Sequence, residues 1–207
     1  MGYYPVSLDL TGRPCLVVGG GVVALRKIAG LVEAGARVTV VSPSLTPSLL
    51  KLAAEAEFHW RPREYAQGDA AGFFLVMVAT DDLAVNAAAA AECRERGVLV
   101  NCADDPARCD FILPAVFRRG AVMVAVSTGG ASPTMARLVR EELEALLPDD
   151  IAPLTEVVAG VRRELSEGGV SLNAERWRHA LDGELRRLAA AGRTTEAQAR
   201  LRERLGV

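Results

Sequence analysis

Histidine is almost missing from this chain: His59 and His179 are the only two in 207 residues. Cysteine is scarce too, and Cys15, Cys93, Cys102 and Cys109 form no C-x-x-C pair. These absences argue against a zinc or iron–sulfur centre, so no residue is assigned to a metal and the thiols read as reduced and mostly buried. With no histidine near Cys102 or Cys109 in sequence, neither reads as an activated nucleophile. Long apolar runs are also missing, which excludes a membrane-spanning helix. The N-terminus lacks the basic and apolar regions of a secretory signal, and Val6 stands where a myristoylation motif needs Ser or Thr. A balance of 24 basic against 26 acidic side chains, net charge -2, gives no general attraction to nucleic acid or anionic lipid. The expectation is a cytoplasmic protein that binds neither nucleic acid nor membrane.

What the chain does have is glycine in one telling place. Pro14-Cys15-Leu16-Val17-Val18-Gly19-Gly20-Gly21-Val22-Val23-Ala24 runs from an apolar strand through a G-x-G-x-x-A turn into a helix. Such a turn presents backbone N–H groups and a helix N-terminus to a pyrophosphate. Gly19 would make the turn, Gly21 would let phosphates approach, and Ala24 would let helix and strand pack closely. Strands then alternate with helices. Strands are expected at 16–18, 37–41, 58–61, 74–79 and 98–101, and helices at 22–34, 45–54 (started around Ser44) and 83–96. The pieces at 111–113 and 116–117 are expected to lead into a further apolar strand at 122–127. Ser132 and Pro133 then open a helix running to Leu147. From Ile151 the pattern is helical, with breaks at Gly168-Gly169 and near Gly192. With half its residues hydrophobic, the chain can bury one full core and a smaller appended unit. The fold class is therefore α/β, a Rossmann-like doubly wound parallel sheet with its ligand edge at the carboxyl ends of the strands. A small all-helical C-terminal domain follows.

Chemistry-bearing residues gather at those strand ends. The second strand ends in Val41-Ser42-Pro43-Ser44, without the acid that often holds an NAD ribose, so serine hydroxyls or backbone groups must do so. Arg61 and Arg63 lie past another helix and are not read as phosphate ligands. Thr80 follows the fourth strand and can meet the cofactor, and Asp81 or Asp82 can cap the next helix, with capping favoured for Asp82. The cofactor-binding set is thus Gly19, Gly21, Val22, Val23, Ser42, Pro43, Thr80 and Asp81. Beyond the fifth strand come Asn101, Cys102, Ala103, Asp104 and Asp105. An Asp-Pro turn accounts for Asp105, whereas Asp104 has no structural excuse and is a candidate proton acceptor beside a hydride-transfer centre. From Phe111 through Arg140 no acid occurs, but Arg118, Arg119, Arg137 and Arg140 do, a stretch suited to a polycarboxylate.

Taken in order, these segments resemble the precorrin-2 dehydrogenase family, the oxidation module of sirohaem synthesis, which includes sirohydrochlorin ferrochelatases. The resemblance covers Tyr4 to about Pro148. It rests on Val18-Gly-Gly-Gly-Val-Val-Ala-Leu-Arg-Lys27, Ala79-Thr-Asp-Asp82, Asn101-Cys-Ala-Asp104, Asp110-Phe-Ile-Leu-Pro114 and Val124-Ala-Val-Ser-Thr-Gly-Gly-Ala-Ser-Pro133. It implies an NAD-binding domain at 1–113, a dimerisation segment at 114–148 and a helical, tetrapyrrole-contacting domain at 149–207, in a homodimer. It further implies NAD as cofactor and oxidation of precorrin-2, an octacarboxylate, to sirohydrochlorin. Asp104 falls on the family's catalytic aspartate, and Asn101, Arg118, Thr128, Ser132 and Arg137 would contact substrate. Trp177 and its apolar neighbours would touch the macrocycle or simply pack a helix. Some members of that family also insert iron, a second activity that Asp104 could serve by stripping pyrrole protons. A fused methyltransferase domain, present in others, is not expected in this chain.

Two other classes remain as alternatives. Thr80-Asp81-Asp82 before an Ala-rich helix also resembles nucleotide-sensing domains that regulate ion channels, although those usually carry an acid where Ser42 stands. A short-chain dehydrogenase is disfavoured because none of Tyr3, Tyr4 and Tyr65 has a lysine four residues on.

Overall fold

Segments without a polar face pack on both sides, and two such segments, Pro14–Val18 and Leu75–Val78, lie side by side within a five-stranded sheet. The structure is a computed structural model describing residues 2–103 and 105–207. The strands are β1 (Pro14–Val18), β2 (Arg37–Val41), β3 (His59–Arg61), β4 (Leu75–Val78) and β5 (Leu99–Cys102). All pair in parallel, in the order β3-β2-β1-β4-β5. The chain reverses its direction of growth after β3, which puts the switch point between β1 and β4.

Helices α1 (Val22–Glu33) and α2 (Pro47–Ala54) cover one face and α3 (Leu83–Arg96) the other. Ala24, Ile28 and Leu31 of α1 bury against Cys15, Val17, Val40 and Met77. Ala89, Ala90 and Cys93 of α3 bury against Leu16, Val18, Val76 and Val100. Alternate strand residues thus feed two separate cores, which explains why β4 carries no polar alternation. The doubly wound α/β expectation holds.

The β3–β4 crossover contains no helix. Residues 62–74 are held instead by two buried carboxylates. Glu92 of α3 accepts from the Tyr65 hydroxyl at 2.5 Å and the Gly68 N–H at 3.0 Å, and it pairs with Arg96 at 2.8 Å. Asp69 accepts from the Ala66 N–H at 2.9 Å and from Arg63. A buried carboxylate is tolerated only when it is paired in this way.

The chain divides into two compact units, Met1–Leu113 and Pro114–Val207. In the second, β6 (Ala115–Arg119) and β7 (Val122–Val126) form their own antiparallel hairpin. The strand expected at 122–127 is therefore not a continuation of the parallel series, and 111–113 is not a strand. The two-residue connection Gly120-Ala121, with Gly120 at φ +56°, is the hairpin signal that explains it. After α4 (Pro133–Leu146) come α5 (Ile151–Glu167), α6 (Ala174–Ala180), α7 (Gly183–Ala190) and α8 (Thr194–Leu205), joined by a core that includes Leu154, Val161, Leu185 and Leu201. Asp182 caps α7 by accepting from the Leu185 N–H at 2.8 Å, a break between α6 and α7 that the apolar pattern alone did not reveal. Likewise α2 begins at Pro47 with Thr46 before it, because Ser44 is used in the preceding turn. Among the described residues, no helix is long and apolar enough to cross a membrane.

Candidate functional site

The β1–α1 turn is a cradle that only glycine can line. Gly19 sits at φ +120°, and a Cβ there would lie 2.3 Å from the Ala79 carbonyl oxygen. At Gly20 a Cβ would lie 2.0 Å from the Ser44 carbonyl oxygen and 2.7 Å from Ser42 Oγ. Gly21 differs: it precedes α1 and faces open space. No side chain caps α1, so its first N–H groups, at Val22 and Val23, keep their hydrogen-bonding capacity and the positive end of the helix dipole. Ala24 is fully buried, as close helix–strand packing requires. Uncapped donors behind a side-chain-free loop fit a dinucleotide pyrophosphate. Gly20 was absent from the sequence-derived set, although its place in a triple glycine was the available signal.

The end of β2 is tied down tightly. Ser42 is buried; its hydroxyl donates to the Ser44 carbonyl at 2.7 Å and its own carbonyl accepts from Trp60 Nε1 at 2.9 Å. That leaves the hydroxyl lone pairs, not its proton, for a ribose. Pro43 beside it is exposed. After β4, Thr80 donates to Asn86 Oδ1 at 2.6 Å while Asn86 Nδ2 donates to the Thr80 carbonyl at 2.9 Å. Asp82 accepts from the Ala84 and Val85 N–H groups at 2.8 and 3.1 Å, so it is the cap of α3, and Asp81 is exposed beside it. Asn86, a lone buried amide in an alanine-rich helix, fixes the Thr80 turn and was not anticipated.

Asn101 lies within β5, paired with Met77 of β4 where the sequence placed it at the strand's end, and is 7% exposed. Its Oδ1 accepts from Lys27 Nζ at 2.6 Å and its Nδ2 donates to the Phe111 carbonyl at 2.9 Å. Lys27, reaching across from α1, was also missed; a basic residue beside the buried Ile28 was the clue. Asp104 lies outside the described residues. Its neighbour Asp105 pairs with Arg108 across the single 3-10 turn Pro106–Arg108, in line with the Asp-Pro turn expected there. Cys109 Sγ accepts from the Cys102 N–H at 3.1 Å and lies 3.2 Å from the Cys102 carbonyl oxygen. Burial pushes the Cys102 thiol up to about 11 and raises Cys109 as well, so both are neutral hydrogen-bonding groups.

In the second unit, Thr128 Oγ1 donates to the Ser132 carbonyl and accepts from the Ser132 N–H, both at 3.0 Å. Ser132 Oγ accepts from the Met135 N–H at 3.2 Å and caps α4. Arg118 is exposed on β6 and Arg137 on α4. The structure thus joins Thr128 to Ser132 and, in the first unit, gathers the glycines, Ser42 and Thr80 at one sheet edge. Among the described residues, no group of three or more His, Cys, Asp or Glu could hold a metal.

Residues 6–115 match the model of an NAD(P)-binding family, and residues 119–146 match the central segment of sirohaem biosynthesis proteins. The chain belongs to that NAD(P)-binding family. Within that family it is 41% identical over 207 residues to siroheme synthase 1 of Serratia proteamaculans, covering 99% of this chain and 44% of the relative. Siroheme synthase of Methylococcus capsulatus is 42% identical over 200 residues, covering 96% and 42%. This family member therefore spans less than half the length of the curated relatives it matches. Among solved structures, SirC, a precorrin-2 dehydrogenase, superposes with a TM-score of 0.77 at 28% identity, covering 97% of this chain and all of SirC.

Proposed function

We propose that this protein is a precorrin-2 dehydrogenase, oxidising precorrin-2 to sirohydrochlorin with NAD+ in sirohaem biosynthesis. The observation that carries the reading is the likeness to SirC over nearly the whole length of both chains, with a glycine cradle and an uncapped helix at the expected place. Bound there, NAD supplies the hydride acceptor. The α1 N–H groups would hold its pyrophosphate, and Ser42, Pro43, Thr80 and Asp81 would contribute to binding the rest of the dinucleotide. Lys27 orients the Asn101 carboxamide, which would contribute to the substrate side of the site. Asp104 would accept the proton that leaves the macrocycle in the oxidation.

Arg118 and Arg137 meet substrate carboxylates, and the Thr128–Ser132 turn contributes polar contacts. Residues 114–148 form the dimerisation segment of a homodimer, a reading supported by the exposed Met123, Met135, Leu138 and Leu146. Residues 149–207 contact the tetrapyrrole, and the protein works in the cytoplasm.

Absorbance of anaerobically generated precorrin-2 tests this. An NAD+-dependent rise of the sirohydrochlorin spectrum, weakened by Asp104→Asn, is the expected result. NAD+ binding without turnover would instead identify a sensing module. Faster metallation on adding Fe2+ than without protein would add a chelatase step.

A further inference from the structure

The end of β2 offers no acid to repel a 2′-phosphate, so discrimination between NAD and NADP would need another source. Parallel pairing of β2 with β3 sets Val41 opposite Arg61, and the Ser42 N–H donates to the Arg61 carbonyl at 3.3 Å. Two arginines, Arg61 and Arg63, therefore stand at the carboxyl end of the strand next to the Ser42 turn, where the adenosine ribose of a bound dinucleotide comes down. They are partly exposed, with side chains 38% and 45% accessible. A guanidinium in this position is what a site for a 2′-phosphate normally supplies.

Both are directed instead at Asp69. Arg63 grips it with two donors, Nη1 to Oδ2 at 2.6 Å and Nη2 to Oδ1 at 2.5 Å, and Arg61 Nη1 stands 3.5 Å from Oδ1. Asp69 is 7% exposed and is fixed further by the Ala66 N–H. We propose that Asp69 is the residue that sets the dinucleotide preference, by occupying the two arginines that would otherwise bind a 2′-phosphate. The fork of Arg63 is filled by a carboxylate that a phosphate would have to displace from a buried position. A neutral 2′-hydroxyl needs no such displacement. The hydrogen bonds from Arg63 outweigh burial and hold the Asp69 carboxyl below its usual range, so the clamp stays charged at neutral pH.

The inference rests on the dinucleotide reading of the site, and direct binding separates the two. Titration calorimetry with NAD+ and NADP+ on the wild type, Asp69→Asn and Asp69→Asn/Arg61→Gln reads both affinities. The wild type is expected to prefer NAD+. Asp69→Asn should tighten NADP+ by about tenfold relative to NAD+, and adding Arg61→Gln should remove most of that gain. A folded Asp69→Asn that binds NAD+ with an unchanged ratio overturns the clamp alone, as does a wild type that prefers NADP+. A wild type that binds neither dinucleotide overturns the cofactor reading and the clamp with it. Should Asp69→Asn not fold, Arg61→Gln decides: a guanidinium already directed at Asp69 contributes little to NADP+, so the ratio of the two affinities should stay within about twofold of the wild type, and a loss of NADP+ of about fivefold or more against NAD+ overturns the proposal.

Discussion

Two helices start at the carboxyl edge of the same sheet, α1 after β1 and α3 after β4, and they start in opposite ways. Asp82 closes the first turn of α3 with two hydrogen bonds to its own chain. The first turn of α1 has no such side chain: Gly21 precedes it and faces open space. An uncapped helix end costs stability, typically about 1 kcal/mol relative to a good cap, unless something else meets its N–H groups. The difference supports the proposed placement of the pyrophosphate at α1, where no side chain meets the first N–H groups, rather than at α3, where Asp82 meets them.

Breaking the cradle should have the largest effect. Gly19→Ala combines a left-handed φ with a backbone clash at Ala79, and should destabilise the first unit by about 3 kcal/mol, read as a fall in thermal midpoint with loss of NAD+ binding. Gly20→Ala collides with Ser44 without needing a positive φ. Its effect should be smaller on stability, about 1–2 kcal/mol, but still about tenfold or more on NAD+ affinity, since the loop must move from the pyrophosphate.

The closed helix ends sharpen the contrast. Asp182→Asn removes the charge that caps α7 and pairs with Arg200, and should cost about 1–2 kcal/mol at neutral pH. The Arg200 bond, the Leu185 N–H and the nearby arginine charges lower Asp182 to about 2. A depressed carboxylate stabilises the fold above its unfolded pKa, near 3.8, and loses that contribution as pH falls through about 2. The gap between wild type and variant should therefore close on acidification over that window, as followed by helical circular dichroism. Smallest is Asp82→Ala, expected to cost about 1 kcal/mol, a fall of about 2–4 °C in thermal midpoint, with NAD+ affinity unchanged within about twofold. A large loss of NAD+ binding in Asp82→Ala would erase the distinction between the two helix ends.

The sequence made one of these helices fully legible. Asp82 before α3 and Gly97 after it, at φ +66°, gave its limits as Leu83–Arg96 because cap and stop are local chemistry. The triple glycine likewise announced the cradle. What stayed hidden was tertiary. Gly20 matters because Ser44, 24 positions on, folds back over it, and Lys27 matters because β5 brings Asn101 to it. Arg61 looked remote from Ser42 because a helix separates them in sequence, yet parallel pairing makes their strands neighbours. The hairpin was misplaced for a related reason: β7 is as apolar as the sheet strands, and Gly120-Ala121 is the local sign of the reversal.

The most direct test is calorimetric titration of NAD+ into the wild type and Gly20→Ala, with folding of both verified by thermal denaturation. A wild type that binds, beside a folded variant weakened by about tenfold or more, is the predicted result. A folded Gly20→Ala that binds NAD+ as tightly as the wild type would contradict the placement of the dinucleotide at the start of α1.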